Sequence, residues 1–479
     1  MRCNKLYRSV MSLLLVLVTL LSMVGCGAKK VDKTEQIKIE PMEIEEVPNY
    51  SYDFIGGTDV MPIVGFNGPT PSGYSYNGNN RPDYYTDEIF KLLADTGVNV
   101  ISYNGTEYTE HPDAYEKMFQ LGEKYGVGIM VHDARMFGVA GGEKTIEEAD
   151  AIVNEYANNK AYCGNYIIDE PADPGYIMHT LNGVTVEQAA AVFETFNKLD
   201  IPAYGNLLSY TKDEQEKFEA YIKKYAEYCN PSFLSTSNYP FFGGGTGEPN
   251  FAAWFEGVSI FRRSAMETGL PFWGMLQAGN WFNDAGTPFE TKAYTPTLGE
   301  TKWNANILLA LGAKGISWFP MMQPIFFAPA ESEPFDFQRS GLIGAWGNTT
   351  RWYYHSQEVS KQIRAVDEVL MNSVNKGIIV ADKTTKKTEL SQVDCVLNGT
   401  SWRELKDVSG NTVVGCFNYQ GKTALYVVNY EREYAQKVTV DFVDEFKITV
   451  IRGDSTVTKK ADSLKLNFAA GEAALIVFE

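Results

Sequence analysis

Two adjacent carboxylates at the end of an apolar stretch are the residues of this sequence best suited to proton transfer. Asp169 and Glu170 follow the strand-like residues 162–168, and Pro171 then ends the strand. Ionised carboxylates resist leaving water, so a pair delivered by a buried strand needs partners, a raised pKa or a function. Partial burial and the charge of Asp169 would both raise the pKa of Glu170, which suits a general acid. An acidic turn after a core strand is the alternative interpretation.

The surrounding sequence predicts the elements that position this pair. Up to residue 372, short apolar strands alternate with amphipathic helices, a pattern typical of βα units and a parallel sheet. Capping boxes at Thr145 and Thr185 mark two helix starts. Eight units favour an α/β fold, a closed (β/α)8 TIM barrel over residues 51–372, rather than an open doubly wound sheet. The predicted strands are residues 60–66, 98–103, 128–132, 162–168, 203–208, 233–236, 271–276 and 315–319.

The sequence after residue 372 has a different pattern, in which strand follows strand with turn residues between them. This spacing predicts an all-β sandwich over residues 373–479. Nothing in its sequence indicates catalysis. We expect it to pack against the barrel, with glycan binding as the alternative.

The amino-terminal residues indicate export. Arg2, Lys5 and Arg8 precede an apolar run over residues 10–24, which predicts a secretory signal at residues 1–25. The small residue before Cys26 resembles the lipobox of bacterial lipoproteins, and that resemblance implies a lipid on the Cys26 thiol. Residues 26–50 read as the lipidated cysteine and a flexible tether. We therefore expect an extracytoplasmic protein on the bacterial cell surface; a transmembrane anchor is the weaker alternative because the run is short.

Charge and composition exclude several partner classes. The formal net charge is −18, and it falls to −21 without the three basic residues of the signal, which argues against nucleic acid and against a basic patch on anionic lipid. A membrane contact is expected through the lipid only, and the oligomeric state is left open. No GxGxxG or GxxxxGK[ST] follows a predicted strand, so no cofactor is predicted. Four histidines and widely spaced cysteines predict no metal site; Cys395 and Cys416 could pair or remain free thiols.

In a (β/α)8 barrel, the residues at the carboxyl ends of the strands surround the active site. Besides the carboxyl pair, the predicted strand ends carry polar and aromatic side chains that could contact a substrate. These are Asn67, Asn104, Asp133, Asn238, Tyr239, Gln277 and Trp318. Turn formation or core packing is the alternative for each of them.

Two segments carry a family resemblance. The strand end Ile168-Asp169-Glu170-Pro171 resembles the acid/base strand of glycoside hydrolase clan A, and residues 296–303 with 308–319 resemble strand 8 and its preceding helix in β-galactosidase-like barrels and bacterial lipoproteins related to them. The resemblance covers roughly residues 58–372. It implies that Glu170 is the general acid/base, that Asp169 replaces an asparagine beside the scissile bond, and that Tyr239 and Trp318 line the sugar site.

The resemblance breaks on strand 7. The clan places a nucleophilic glutamate there, whereas this chain has Gln277, and an amide cannot replace a carboxylate nucleophile. Gln277 then reads as a substrate-contacting amide. Candidates for a second carboxylate are Asp133, Asp169 and Asp284, although Asp133 could instead pair with Arg135 and Asp284 could be a turn residue.

Two functions follow from these observations. The first is a surface-anchored glycoside hydrolase that cleaves an oligo- or polysaccharide, with Glu170 as proton donor. The second is a lipoprotein that binds glycan through a catalytically silent barrel, which the missing carboxylate on strand 7 favours.

Overall fold

A computed structural model describes most of the chain after the predicted signal. The described residues are 38–48, 57–71, 75–76, 79–80, 82–102, 108–109, 111–177, 184–241, 249–279, 294–323, 341–344, 346–381 and 387–479. Residues 1–25, Cys26, Asn104 and Asp284 lie outside them. The chain divides into two compact units, Met1–Glu40 and Pro41–Glu479. In the first unit, Lys38 and Glu40 form an exposed ion pair of 3.1 Å; both folded domains belong to the second.

Eight parallel strands form the first domain. They are β1 (Ile63–Phe66), β2 (Val100–Ser102), β3 (Gly128–His132), β4 (Tyr162–Asp169), β5 (Ala203–Asn206), β6 (Leu234–Ser235), β7 (Phe272–Gln277) and β8 (Gly315–Phe319). Backbone hydrogen bonds join them in the order β5-β4-β3-β2-β1-β8-β7-β6. A short ribbon, Ser75–Tyr76 with Asn79–Asn80, lies in the loop after β1.

The two end strands of this order join each other. Leu207, just after β5, forms a parallel bridge with Thr236, just after β6. The Leu207 N–H donates to the Ser235 carbonyl at 2.8 Å, and the Ser237 N–H donates to the Leu207 carbonyl at 2.9 Å. The sheet is therefore a closed ring, and the predicted (β/α)8 barrel is confirmed.

Helices follow the strands around the ring. They are α1 (Asp87–Asp95), α2 (Pro112–Tyr125), α3 (Phe137–Ala140), α4 (Ile146–Asn154), α5 (Val186–Leu199), α6 (Gln215–Cys229), α7 (Phe251–Thr268), α8 (Leu298–Ala310) and α9 (Arg351–Met371). The capping boxes predicted at Thr145 and Thr185 are both present, and Thr297 forms a third at the start of α8. Each satisfies backbone N–H groups that the first helical turn leaves without a partner.

The barrel is filled from inside by an apolar cluster that we call the inner cluster. Its buried members are Val64, Phe66, Val100, Met130, Cys163, Tyr166, Tyr204, Phe233, Trp273 and Met275. Phe233 and Trp273 stack with their ring centroids 3.6 Å apart. Side chains that alternate with these along the strands pack between strands and helices in a larger outer cluster. A barrel filled in this way is a packed core, so chemistry must take place at its ends.

The second domain is one antiparallel sheet of seven strands. They are β9 (Ser373–Val380), β10 (Leu405–Val408), β11 (Thr412–Tyr419), β12 (Lys422–Asn429), β13 (Gln436–Arg452), β14 (Ser455–Phe468) and β15 (Ala473–Phe478). Their order is β9-β11-β12-β15-β13-β10, with β14 beside β13.

The long strand β13 lets this sheet enclose a core. Its first part pairs with β10 and its last part with β15, and its pairing with β14 is irregular between Asp441 and Phe446. Apolar side chains from both parts of the sheet meet in one cluster, among them Val414, Leu425, Ile476, Val440 and Leu464. The predicted all-β sandwich is confirmed.

The sandwich packs on α7 and α8 through buried polar contacts. Tyr426 donates to Oδ1 of Asn306 at 2.7 Å, and Nδ2 of Asn306 donates to the Gly471 carbonyl at 2.8 Å. Arg262 of α7 donates to Oδ1 of Asn375 at 2.6 Å. These contacts join the two domains directly.

The segment ahead of the barrel also contacts both domains. The Met42 N–H donates to the Gly421 carbonyl at 2.9 Å, and Nδ2 of Asn418 donates to the Glu43 carbonyl at 2.7 Å. The next residues reach a cavity of about 890 Å³ at the amino-terminal end of the barrel, lined by Glu46, Val47, Pro48, Pro202, Pro231 and Pro271 among others. The flexible tether over residues 26–50 stays a prediction, although residues 42–48 of this range lie against the fold.

Candidate active site

The carboxyl pair ends β4 in a position set by an irregularity just before it. Pairing with β5 shifts between Tyr166 and Ile168. Tyr166 belongs to the inner cluster, whereas Ile167 and Ile168 both pack in the outer cluster. An extra residue of this kind changes which side chain points inward. It brings the carboxylate of Asp169 to the inside of the ring.

Glu170 has an unusual backbone conformation. Its φ is +50°, in the left-handed region that glycine favours, and a residue with a Cβ atom pays roughly 1 kcal/mol or more there. The Glu170 N–H donates to the Asn206 carbonyl at 2.7 Å, which fixes this turn against β5. The side chain of Glu170 is thereby aimed by a strained turn that the neighbouring strand holds in place.

Asn206, the last residue of β5, connects three strand ends. Its Nδ2 donates to Oδ1 of Asp169 at 3.1 Å and to Oγ of Ser237 at 2.6 Å. Its Oδ1 accepts from Oγ of Ser235 at 2.9 Å, and Ser235 in turn is 3.0 Å from the Tyr204 hydroxyl. Asn206 was not predicted from the sequence. It stands two residues after Tyr204, which faces inward, and side chains two residues apart on a strand share a face, so this spacing could have identified it.

Burial raises the pKa values of both carboxyls, and the charge of Asp169 adds to this effect at Glu170. Burial raises the pKa of Asp169 to about 6, against an opposing hydrogen bond from Asn206. Burial, and then the charge of Asp169, raise the pKa of Glu170 to about 7, against an opposing hydrogen bond with Ser237. Because the charge of Asp169 acts on Glu170, Glu170 is the carboxyl that holds a proton to the higher pH. Such a pair can donate a proton and take it back.

Tyr239 lies close enough to the carboxyl pair to feel the charge of both groups. Its hydroxyl is 2.8 Å from Sδ of Met275, on β7. Burial and then the nearby charge of Asp169 raise its pKa well above the ordinary value, and Glu170 adds to this effect. The phenol therefore keeps its proton and can donate a hydrogen bond to a substrate beside the carboxyls.

Gln277 ends β7 on the inside of the ring. It is 3% exposed, and its Nε2 donates to the Gly279 carbonyl at 2.7 Å. Its Oε1 has no hydrogen-bond partner among the described residues. A buried acceptor of this kind calls for a donor, and a sugar hydroxyl would supply one.

Two inward residues that the sequence analysis did not select complete the described wall. His132 ends β3, with its ring centroid 6.2 Å from that of Tyr166. Phe319 ends β8, with its ring 5.7 Å from Phe66 and 6.3 Å from Tyr239. An aromatic floor for a sugar ring would therefore come from Phe319 in this barrel.

Asp133 is committed to an ion pair. Its carboxylate accepts from Nε of Arg135 at 3.1 Å and from a terminal nitrogen of the same guanidinium at 2.8 Å. It is 3% exposed and also caps the short 3-10 helix Ala134–Met136. The structure favours this alternative over a second catalytic carboxylate, because the inward residue on β3 is His132.

Trp318 is fully buried in the outer cluster, next to the helices. It alternates with Ser317 and Phe319 along β8, so its ring points away from the inside of the barrel. The structure thus places Trp318 in the core, in contrast to the expectation that it lines a sugar site.

Of the three predicted asparagines, Asn67 and Asn238 lie within the described residues. Asn67 follows β1 with φ +62°, and its carbonyl accepts from the Met322 N–H at 3.0 Å. Asn238 exchanges hydrogen bonds of 3.3 Å with Trp254, a structural role. A substrate contact by Asn67 stays a prediction, and Asn104 lies outside the described residues.

Other chemistry finds little support in the described part of the chain. Cys163, Cys229, Cys395 and Cys416 are all free thiols. Within the described ranges, no group of three His, Cys, Asp or Glu side chains is placed to hold a metal ion. No helix in these ranges is both long and apolar enough to cross a bilayer.

Solved structures similar to this chain include several carbohydrate-active enzymes. A putative α-L-fucosidase from Bacteroides thetaiotaomicron is 12% identical, with 68% of this chain and 99% of that chain covered and a TM-score of 0.42. A family 51 α-L-arabinofuranosidase from Bifidobacterium longum is 10% identical, with 92% and 98% covered and a TM-score of 0.43. An α-amylase from Geobacillus thermoleovorans is 10% identical, with 88% and 98% covered and a TM-score of 0.49.

No protein-family model matches the chain, and no curated protein matches it. The structure itself defines the class of this protein: a (β/α)8 barrel with a carboxyl pair at the carboxyl end of β4, joined to a β-sandwich. This assignment rests on the closed ring of strands.

Proposed function

We propose that this protein is a glycoside hydrolase that cleaves O-glycosidic bonds of an oligo- or polysaccharide, with Glu170 as general acid/base. One observation carries the proposal. Glu170 ends a barrel strand at the carboxyl face, and its pKa is raised to about 7. At neutral pH a large share of Glu170 therefore holds the proton that a departing glycosidic oxygen needs.

The surrounding residues have defined tasks in this proposal. Asn206 holds the Asp169 carboxylate and the Ser237 hydroxyl. Asp169, ionised, keeps the pKa of Glu170 high and provides a neighbouring negative charge when positive charge develops on the sugar. Tyr239 and Gln277 supply a donor and an acceptor for sugar hydroxyls. Because the donors are held before substrate arrives, little reorganisation is needed in the transition state.

The test compares Glu170→Gln with Glu123→Gln on a panel of aryl glycosides and of plant and host glycans. Glu123 is an exposed residue of α2 that pairs with Lys160 at 2.7 Å, so its replacement should leave turnover unchanged. Glu170→Gln should lower turnover by roughly a thousandfold, because a general acid typically contributes about 10²–10⁴-fold. Equal turnover by the parent and Glu170→Gln would contradict the assignment of Glu170.

The second candidate is a catalytically silent glycan-binding barrel, and Gln277 is the observation that favours it. An amide on β7 carries no charge to stabilise an oxocarbenium ion. Calorimetric binding of glycans that the parent protein never turns over would support the binder. Turnover of any glycan that Glu170→Gln abolishes, with binding retained, would support the hydrolase.

We further propose that the enzyme acts on the bacterial cell surface, anchored by a lipid on Cys26. The support is the sequence alone: the basic residues, the apolar run of residues 10–24 and the small residue before the cysteine. Cells fed a labelled fatty acid should label the parent protein but not Cys26→Ser. Equal labelling of both proteins would contradict the anchor.

A further inference from the structure

The two carboxyls of the site belong to consecutive residues, and one short network joins them. Asn206 contacts Asp169 and Ser237, and Ser237 hydrogen-bonds to Glu170. A double-displacement glycosidase needs its carboxyls on opposite faces of the ring, about 5–5.5 Å apart, and an inverting enzyme needs about 6.5–9.5 Å with a water between them. Both arrangements therefore need a carboxylate that another part of the site places across the ring from Glu170.

The inward residues at the other described strand ends carry no carboxyl group. They are Phe66, Ser102, His132, Asn206, Ser235, Gln277 and Phe319. On β7, where the resemblance places a nucleophile, an amide faces inward. Among the described residues that face the site, the carboxyl groups are therefore those of Glu170, the proton donor, and of Asp169 next to it.

We propose, building on the hydrolase function above, that the substrates are glycosides of 2-acetamido-2-deoxy sugars and that the substrate's own acetamido oxygen is the nucleophile. Some glycosidases use substrate assistance in place of a protein nucleophile. In that chemistry a carboxylate beside the acid has a task of its own, because it faces the acetamido group. The adjacency of Asp169 and Glu170 is what such a reaction requires.

The first step breaks the glycosidic bond. The acetamido carbonyl oxygen attacks the anomeric carbon while the bond to the leaving oxygen breaks, and the leaving oxygen takes the proton of Glu170. The product is a five-membered oxazolinium ring, whose positive charge is shared with its N–H. Asp169, ionised, accepts a hydrogen bond from that N–H and offsets the charge.

The second step restores the enzyme. Glu170, now a carboxylate, takes a proton from a water molecule as the water oxygen attacks the anomeric carbon. The bond from that carbon to the acetamido oxygen breaks, and the acetamido group is regenerated. Net hydrolysis consumes one water, and two inversions give retention of configuration.

Neighbouring residues suit an acetamido group in particular. The Tyr239 phenol keeps its proton beside the pair, so it can donate to the acetamido carbonyl and hold it towards the anomeric carbon. Its position against Met275, with Phe319 6.3 Å away, gives an apolar surround for the methyl group. The strongly acidic chain also favours an uncharged substrate over an anionic one.

The experiment uses matched pairs of 4-nitrophenyl glycosides, gluco and galacto, in both anomeric forms. One member of each pair has a 2-acetamido group and the other a 2-hydroxyl group. The parent should turn over the acetamido member of at least one pair about 100-fold or more faster, because a positioned intramolecular nucleophile replaces an intermolecular one. On the preferred sugar, progressive fluorination of the acetyl methyl should lower kcat, because it makes the carbonyl oxygen a poorer nucleophile. NMR should show the first-formed sugar with retained configuration.

The outcomes separate the two proposals. Preference for the hydroxyl members, a rate unaffected by fluorination or an inverted product would overturn substrate assistance, while the hydrolase assignment would stand. No turnover of any acetamido member by the parent, together with no binding of a thiazoline that mimics the oxazoline, would overturn substrate assistance, and the wider glycan panel above would decide the hydrolase assignment separately. Asp169→Asn should lower turnover of the acetamido glycoside far more than the control Asp200→Asn, which changes a residue of the α5 cap.

Discussion

Two of the places where this protein buries ionisable groups differ in the charges that they bring together. At the carboxyl end of the barrel, two carboxyls stand side by side, and their pKa values are raised. At the boundary between barrel and sandwich, Arg432 pairs with Glu389 at 3.1 Å, and its guanidinium lies 3.6 Å from the ring centroid of Phe251. Like charges at the first place cost stability, whereas opposite charges at the second are matched, and the Arg432 guanidinium also packs against Phe251 of the barrel helix α7.

The sharpest test of this contrast is the effect of Glu170→Gln on activity and stability together. Turnover should fall by roughly a thousandfold, yet the free energy of unfolding at pH 8 should rise, because an ionised carboxyl is removed from beside Asp169. The folded pKa of Glu170 is raised from 4.5 to about 7, so the folded state binds this proton more tightly than the unfolded chain. The free energy of unfolding of the parent therefore falls as pH rises from 4.5 to 7. Over the same range, the free energy of unfolding of the variant should exceed that of the parent by a growing margin.

Urea unfolding of both proteins between pH 4.5 and 8 measures this difference. A variant less stable than the parent at pH 8 would show that Glu170 is a structural residue. Glu123→Gln serves as the matched control, with neither effect expected.

At the domain boundary, removing a charged side chain should lower the free energy of unfolding instead of raising it. Arg432→Ala should lower the free energy of unfolding by about 3 kcal/mol, because it leaves Glu389 without its charged partner and removes the contact with Phe251. Urea unfolding again provides the measurement. Lys361→Ala, which breaks an exposed ion pair with Asp454, should change stability little. A similarly small change in the free energy of unfolding for Arg432→Ala would show that the Arg432–Glu389 pair does not stabilise the fold, and the contrast with the carboxyl pair would be lost.

A smaller effect is expected from Asn206→Ala at the barrel end. Loss of its hydrogen bonds to Asp169 and Ser237 should lower kcat/KM about tenfold. Because one of those bonds lowers the pKa of Asp169, that pKa should rise above 6, and the acidic limb of the pH profile should move to higher pH. Asn197→Ala removes a single bond to the Cys229 carbonyl and should leave the profile unchanged. An unmoved acidic limb in Asn206→Ala would exclude a positioning role for Asn206.

The smallest expected effect is a shift in the pKa of Glu170 when Asp169 becomes asparagine. The charge of Asp169 is the second cause of the raised pKa, after burial. The pKa should therefore fall below 7 but remain above its ordinary value. Carbon-13 NMR titration of the Glu170 carboxyl reads this directly and needs no turnover. An unchanged pKa would mean that the two carboxyls do not interact.

Alternation along the strands explains which site residues could be predicted from the sequence. The residue after the predicted strand 128–132 is Asp133, and the clan resemblance implied Trp318 on strand 315–319. The inward residues are their neighbours His132 and Phe319, since side chains on a strand alternate between two faces. The barrel and the capping boxes depend on local patterns and were predictable.

The connections between strands were not predictable in the same way. The shift between Tyr166 and Ile168 has no signal of its own in the sequence, yet it determines that Asp169 faces inward. Asn206 gains its importance only when β4, β5 and β6 lie side by side. Contacts of this kind join residues 31 and 37 positions apart, and only the closed ring brings them together.

The course of Pro41–Pro48 determines what a change in this stretch would affect. It bonds to the sandwich at Met42 and Glu43 and then lines a cavity at the amino-terminal end of the barrel, which is the end remote from Glu170. Replacing these residues should therefore alter the sandwich surface and that end of the barrel, and leave the geometry of the carboxyl pair unchanged.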